Sequence, residues 1–191
     1  MKKFTLYILT AFGLMGLATS CNDFGDVNND PMNLNPGVVD YKMEFTQVEA
    51  QICGSDWDVW RNGCIYTANM IQHTASVDWA YGVFYTWNDQ YSGAYWGGFY
   101  SGGRAAIRNI IDVMNNWEGN PAYANEYQMC RILKAYMFQN MTDLYGDVPY
   151  SEAGQGYSTN PIPYPKYDTQ EAIYDDLLKE LDEAQAALST S

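Results

Sequence analysis

Apolar residues recur three or four positions apart in several stretches of the chain, which is the spacing of one face of an α-helix. Four such stripes predict helices after residue 38 and at about 103–117, 122–144 and 169–188. In chain order, the stripes consist of Val39, Met43, Phe45, Val48 and Ile52; Ile107, Ile110, Ile111, Met114 and Trp117; Met129, Leu133, Tyr136, Met137, Asn140 and Leu144; and Ile173, Leu177, Leu181, Ala184 and Leu188. Each helix is therefore expected to bury its striped face in a core.

Glycine, proline and capping residues mark several of the expected helix ends. Pro121 suits the start of the third helix, because the first turn has no use for the N–H that proline lacks. Gly146 is expected to end that helix in a left-handed conformation, and Pro149 prevents its continuation. Asp168, followed three residues later by Glu171, predicts the N-cap of the last helix.

The stretches between the stripes are less regular. A helical segment is expected at 57–71, after a break at Gly54 and Ser55. Residues 75–103 contain ten aromatic residues with glycines interleaved, which predicts a long loop, and 146–168, with four prolines, predicts a long ordered loop. Because strand signals are nearly absent, the sequence predicts an all-α fold of tetratricopeptide-like helix pairs with long ordered loops, without a second copy of the repeat signature.

The start of the chain has the layout of a bacterial export signal. Lys2 and Lys3 precede an apolar run at 4–18, which is followed by small residues and then by Cys21. The run is too short for a transmembrane helix. The cysteine after the small residues predicts a lipobox, in which Cys21 is acylated, although Ala18 stands where leucine is commoner. The alternative is a plain signal peptide with an incidental cysteine.

Three regions are expected: a signal peptide at 1–20, a lipid anchor and tether at 21–37, and a partial α-helical domain at 38–191. The tether is rich in Asn, Asp, Gly and Pro and has no apolar periodicity. Its alternating acidic and amide residues resemble the opening of a calcium loop, but Pro31 stands where an EF-hand needs glycine. Asx turns are the preferred interpretation of these residues.

Composition excludes some classes of function. The 191-residue chain is 47% apolar and 16% aromatic, which predicts a folded domain with a sizeable core. Its formal net charge of −13 argues against binding to nucleic acid, whose phosphates require a basic surface. The same acidity argues against a surface that adheres to anionic lipid, so that contact with a membrane is expected through the lipid anchor.

Cysteines and histidine are too few and too scattered for a disulfide framework or a metal centre. Cys53 and Cys64 stand on what is expected to be a helix, about 16 Å apart, which is too far for a bridge. Together with Cys130 they are expected to be buried free thiols. Since His73 is the single histidine and no CxxC motif is present, neither a metal nor another cofactor is expected.

Three segments carry a family resemblance. The phrase Leu-Tyr-Gly-Asp-Val-Pro-Tyr-Ser-Glu-Ala at 144–153, within a longer similar segment at 131–153, resembles the SusD/RagB family of Bacteroidota lipoproteins. Residues 163–183, where Tyr167 and Asp168 open an acidic amphipathic helix, also resemble that family, as does the entry at 21–31. The three matches occur in the family's order, behind a lipobox-like signal.

The resemblance implies a fold and a role. Members are α-helical with tetratricopeptide-like units, and they are lipid-anchored on the outer membrane, facing outward. They act as lids on SusC-type TonB-dependent transporters, help to capture oligosaccharides or in some cases peptides, and have no catalytic residues. Members are much longer, so this chain corresponds to an N-terminal portion of one.

The aromatic-rich stretch supplies candidate ligand contacts, because sugars stack their C–H faces on aromatic rings. Trp79, Tyr81, Trp87, Tyr95 and Trp96 are the candidates, and the alternative is that such rings fill the core. Two other functions remain open. One is a structural fragment that interacts with partners without binding a ligand of its own. The other is an extracytoplasmic glycoside hydrolase, for which the sequence has no motif beyond plentiful carboxylates.

Overall fold

A computed structural model of the chain describes residues 40–101, 104–157 and 160–188, and nothing in those ranges forms an extended strand. The helices are α1 (Tyr41–Gln51), α2 (Asp56–Asp58), a π-helix (Val59–Thr67), α3 (Ala68–Met70), α4 (Asp89–Ser92), α5 (Ala94–Phe99), α6 (Ala106–Trp117), α7 (Ala124–Tyr145) and α8 (Gln170–Ala187), with 3-10 turns at Pro121–Tyr123 and Gln155–Tyr157. The all-α expectation is confirmed. The predicted signal peptide at 1–20, Cys21 and the tether at 21–37 lie outside the described residues.

Four helices form a scaffold in which each packs against the next: α1 on α6, α6 on α7, and α7 on α8. The core lies between them. The side chains that are essentially excluded from solvent include Val48, Ile107, Ile110, Val113, Met137, Phe138, Met141 and Ile173. Phe45 and Val48 of the first predicted stripe, and Ile173, Leu177 and Ala184 of the last, are buried as expected.

The predicted stripe on α7 is largely wrong. Met129, Tyr136 and Leu144 are exposed, and of that stripe only Met137 is fully buried. The buried residues of α7 are Cys130, Ala135, Met137, Phe138, Met141 and Thr142. Because α7 lies between α6 and α8, it carries apolar residues on more than one side, and their spacing alone does not identify the face that meets the core.

Gly146 ends α7 with a positive φ, as predicted, although its φ of 74° and ψ of −122° differ from the left-handed helical conformation. Its N–H donates to the Thr142 carbonyl at 2.8 Å. The neighbouring Asp147 accepts a hydrogen bond from the backbone N–H of Gln170 at 2.9 Å. These contacts connect the end of α7 to the start of α8.

The predicted N-cap of α8 at Asp168 is wrong. Thr169 is the N-cap, and its hydroxyl accepts from the Ala172 N–H at 3.3 Å. The Asp168 backbone pairs instead with Val148 in an isolated antiparallel bridge. Its carboxylate accepts from the Ser151 N–H at 2.7 Å and the Ser151 hydroxyl at 2.8 Å, so Asp168 fastens the long loop rather than the helix.

The expected loop at 75–103 is irregular up to Asn88 and forms two short helices, Asp89–Ser92 and Ala94–Phe99, beyond it. Asn88 caps α4, since its side chain accepts from the Tyr91 N–H at 3.3 Å. In α5, Phe99 is buried against the scaffold, and this packing stabilises a short helix despite its glycines. The loop expectation is therefore wrong for α4 and α5, because tertiary contacts outweigh the low helix propensity of glycine.

The expectation of buried thiols holds for one cysteine. Cys130 is buried, which raises the pKa of its thiol to about 12, whereas Cys53 and Cys64 are exposed. Cys53 lies just beyond the end of α1, where Gly54 turns the chain with a φ of +73°, so the two exposed cysteines do not share one helix. Within the described residues, no helix is long and apolar enough to cross a membrane.

Candidate ligand-binding site

An open depression of about 600 Å³ lies beside the scaffold and is lined by Trp57, Trp60, Arg61, Trp79 and Tyr91. Trp57 belongs to α2, Trp60 and Arg61 to the first turn of the π-helix, Trp79 to the irregular segment and Tyr91 to α4. A concave, mostly apolar surface with few polar groups is the usual form of a small-molecule site. We call it the aromatic depression.

Trp60 is the central ring of the aromatic depression. Its neighbours approach edge-on: the ring centroid of Trp57 is 5.4 Å away, that of Trp79 5.2 Å and that of Tyr91 5.9 Å, with interplanar angles of 77°, 80° and 90°. Such edge-to-face arrangements are favourable and fix the orientation of each ring. Trp57 and Trp79 remain 60% and 52% exposed, so apolar ring surface is available to a ligand.

The wide turns of the π-helix bring these residues together. A nine-residue π-helix is unusual, and short π segments often occur at functional sites. One side of the π-helix faces the protein, because Asn62, Ile65 and Tyr66 are buried while Trp60 and Arg61 line the depression. The segment therefore has one side in the protein interior and its first turn in the candidate site.

A buried glycine fastens the irregular segment to the π-helix. The Gly82 N–H donates to the Ile65 carbonyl at 3.2 Å, and a Cβ at this position would lie 2.4 Å from that oxygen. Only glycine fits such an approach. The adjacent Tyr81 packs on Tyr91, with ring centroids 5.4 Å apart, and stacks on Tyr66 at 6.3 Å. It therefore contacts a residue that lines the depression without lining the depression itself.

Trp79 is held in an uncommon backbone conformation, with a φ of +47°. A non-glycine residue with positive φ costs roughly 1–3 kcal/mol and persists where surrounding contacts determine it. The edge-on contact with Trp60 and the Gly82 attachment three residues later are such contacts. The conformation places the Trp79 ring against Trp60.

An ion pair fastens the base of the depression to the scaffold. Arg104, just before α6, contacts the buried carboxylate of Asp58, which also accepts from the Ser55 N–H at 2.8 Å and the Ser55 hydroxyl at 3.0 Å. Burial opposes ionisation of Asp58, but the hydrogen bonds from Arg104 and Ser55 outweigh it and lower the pKa of this carboxyl. The charged pair therefore holds α2, which contains Trp57 and leads directly to Trp60, in place.

The part of the chain that contains the scaffold and the depression matches a known protein family. A model of SusD-like proteins, described as starch-binding and associating with the outer membrane, matches residues 38–191. The chain belongs to this SusD-like family. The proteins of this family are binding proteins rather than enzymes, and the family is associated with carbohydrate and the outer membrane.

Two solved structures are similar to this SusD-like chain. A chitin-binding protein is 33% identical, with a TM-score of 0.65 over 78% of this chain and 31% of its own. A SusD-like protein of Bacteroidetes (AC2a) is 29% identical, with a TM-score of 0.64 over 80% of this chain and 27% of its own. The chain thus spans a third or less of each relative. No curated protein matches it.

The structure separates the five aromatic residues that the sequence nominated. Trp79 lines the aromatic depression and Tyr81 lies directly behind it. Trp87 is 73% exposed at another place, where its indole N–H donates to Asp89. Tyr95 stacks on Phe99 with centroids 5.6 Å apart, and Trp96 packs among Tyr100, Tyr145 and Tyr167, so both belong to the edge of the core.

Sequence reasoning missed Trp57, Trp60, Arg61 and Tyr91. The signal in the SusD-like chain was the pair Trp57 and Trp60, which stand three positions apart and therefore share a helix face. That pair lay in a segment expected to be an ordinary helix, and an apolar helix face is usually buried. Trp57 is exposed because α2 lies at the margin of the scaffold, and the local pattern does not encode that position.

Proposed function

We propose that this SusD-like chain binds carbohydrate in the aromatic depression. The observation that carries the proposal is the convergence of four aromatic rings and one guanidinium on an open, mostly apolar surface. Sugar rings present apolar C–H faces to aromatic rings and hydroxyls to polar groups, and rigid rings lose little entropy on binding. The starch-binding family description and the chitin-binding relative support this class of ligand. Peptide is the alternative ligand.

We also propose that the protein works at the cell surface with a transporter. In this proposal, residues 1–20 are a signal peptide, acylated Cys21 and residues 21–37 anchor and tether the protein, and residues 38–191 are the SusD-like part. The lipobox-like sequence before Cys21 supports the anchor. Family membership supports an outer-membrane location and a SusC-type TonB-dependent transporter as partner.

Ligand binding is tested with the full chain by isothermal titration calorimetry against starch-derived and chitin-derived hexasaccharides. We expect binding of at least one, and Trp60→Ala should weaken it about 30-fold, because the central residue of a site commonly contributes about 2 kcal/mol. Trp87→Ala is the matched control, since it removes an exposed tryptophan outside the depression. Equal affinity of both variants and the unchanged protein would place the ligand elsewhere.

The anchor is tested with Cys21→Ser. The unchanged protein should incorporate radiolabelled palmitate and sediment with outer membranes, whereas the variant should incorporate none. Label incorporation by the variant would contradict acylation at Cys21. Loss of label with retained sedimentation would show that another contact holds the protein to the membrane.

A structural role without ligand binding is the second candidate function. One observation favours it: an apolar groove of about 340 Å³ lies between α7 and α8, and Tyr136, Leu178 and Leu181 beside it are exposed. Apolar grooves of this kind commonly contact protein. Failure of every saccharide and peptide to bind, with retained co-purification of a transporter, would favour this function. Turnover of a bound glycan would instead identify a hydrolase.

A further inference from the structure

Arg61 is the charged side chain of the aromatic depression, and its environment is unusual. Its guanidinium carbon lies 5.4 Å from the ring centroid of Trp57 and 5.7 Å from that of Tyr91. Contacts of a cation with ring faces are favourable but weak. The Arg61 Nε is buried and has no hydrogen-bond partner among the side chains and backbone that the structure describes, although buried polar groups in proteins are almost always paired.

Five other cations of this acidic chain have carboxylate partners. Arg104 pairs with Asp58, Arg131 and Lys134 pair with Glu180, and Lys166 and Lys179 also contact carboxylates. Arg61 makes no ion pair with any side chain that the structure describes. The nearby Asp58 is occupied by Arg104 and Ser55. In a chain with a net charge of −13, an arginine without a carboxylate partner in an aromatic surface leaves a place for an external anion.

We infer that the depression selects an acidic saccharide, one whose sugar units carry a carboxylate, and that Arg61 binds that carboxylate. This inference rests on the proposed carbohydrate-binding function. The planar guanidinium matches a carboxylate with two parallel N–H donors, and such charge-assisted hydrogen bonds are about twice as strong as those to a neutral hydroxyl. The rings of Trp57, Trp60 and Trp79 then contact the apolar face of the same or the next sugar unit.

The test compares oligogalacturonate with neutral starch-derived and chitin-derived oligosaccharides of equal length, using calorimetry on the full chain. We expect oligogalacturonate to bind at least about 10-fold more tightly than either neutral ligand. Arg61→Gln should reduce the affinity for oligogalacturonate about 10- to 100-fold, a larger factor than its effect on either neutral ligand. Arg61→Lys should retain part of the preference, since it keeps the charge but loses the two parallel donors.

Lys42→Gln is the matched control, because Lys42 also lies over an aromatic ring, 5.4 Å from the centroid of Tyr123, on the exposed face of α1. It removes the same charge outside the depression and should leave every affinity unchanged. Circular dichroism spectra identical to the unchanged protein would exclude misfolding of the Arg61 variants.

The outcomes separate this inference from the proposed function. Neutral ligands that bind as tightly as oligogalacturonate, and lose affinity in Trp60→Ala but not in Arg61→Gln, would overturn the acidic selectivity and leave carbohydrate binding in place. Absence of binding by every oligosaccharide would overturn both. A preference for oligogalacturonate that Lys42→Gln abolishes as fully as Arg61→Gln would reflect overall charge and overturn the role of Arg61.

Discussion

Two groups of aromatic rings lie close together in the chain and have different roles in the structure. The rings of α5 and its flank, Tyr95, Trp96, Phe99 and Tyr100, pack against the scaffold. The rings of the aromatic depression pack mainly on one another and remain partly exposed. Since both groups come from sequence of similar composition, the difference depends on which helices stand beside each ring.

The contacts that each group makes with the rest of the protein show the same contrast. The Trp96 backbone N–H donates to the Tyr145 hydroxyl at 3.2 Å, and the Tyr100 hydroxyl donates to the Pro149 carbonyl at 2.5 Å, so α5 is connected to the end of α7 and the loop after it. In the depression, the ring contacts that Trp60 makes among the described residues are all with other residues of the depression. Rings of the first group are therefore expected to determine stability, and rings of the second group binding.

The largest effect on stability is expected from Trp96→Ala. The change removes ring contacts with Tyr100, Tyr145 and Tyr167 and should lower the free energy of unfolding by about 3 kcal/mol. Denaturant unfolding followed by circular dichroism measures this change. If the variant unfolds within about 1 kcal/mol of the unchanged protein, the two groups do not differ in the way described.

A smaller effect is expected from Arg104→Gln, which breaks the link between the depression and the scaffold. It leaves the buried Asp58 carboxylate without its charged partner and should cost about 2 kcal/mol at neutral pH. Since folding lowers the pKa of Asp58, this stabilisation is present above the unfolded pKa of about 4 and is lost as the pH falls through the folded value. The difference between the two proteins should therefore shrink in acid.

Denaturant unfolding at a series of pH values checks that sign. A difference that is independent of pH, or that grows in acid, would show that Arg104 acts through packing rather than through the Asp58 charge. Asp58→Asn supplies a second comparison, because it removes the titrating group and should flatten the pH dependence of the unfolding free energy.

Thr169→Ala tests the scaffold with a change that touches no aromatic ring. Loss of the side-chain cap leaves the Ala172 N–H unpaired and should lower the free energy of unfolding by about 1 kcal/mol. Ligand affinity should be unchanged, because α8 does not line the aromatic depression. Thr169→Ser, which keeps the hydroxyl, should restore most of the stability in the same unfolding experiment.

The smallest effect is expected from Trp87→Ala. Its ring is 73% exposed and lies outside both groups, so the free energy of unfolding should change by less than about 0.5 kcal/mol. A larger loss, measured by the same denaturant method, would mean that Trp87 and its contact with Asp89 fix the entry into α4. Trp87 would then belong with the rings that determine stability.

Much of the scaffold was predictable because its helices are long and their apolar spacing is regular. The stripe at 107–117 contains Ile107, Ile110 and Trp117, all buried, and it lies on one face that meets its neighbours. The same reasoning failed for α7, which has apolar residues on its exposed side as well as on its buried side. The N-cap of α8 was missed by one residue, because Asp168 takes part in a bridge to Val148 that depends on a distant segment.

The candidate site was predictable only in part. The ring content of the segment indicated a ligand surface, and Trp79 was among the nominated residues. Local spacing does not reveal that the Gly82 N–H binds the Ile65 carbonyl. Nor does it reveal that this contact holds the irregular segment where the Trp79 ring packs on Trp60. These are long-range contacts, and the sequence specifies them only through the complete fold.

The π-helix between the depression and the interior also acts as a rotational spacer. Each residue of a helix turns the chain about the helix axis, so removing one residue from Val59–Thr67 would rotate α3 relative to α2. Trp57 and Asn69 lie on opposite sides of this spacer, one at the surface and one in the interior. A related chain with one residue fewer here would thus keep both helical ends but direct its tryptophans elsewhere.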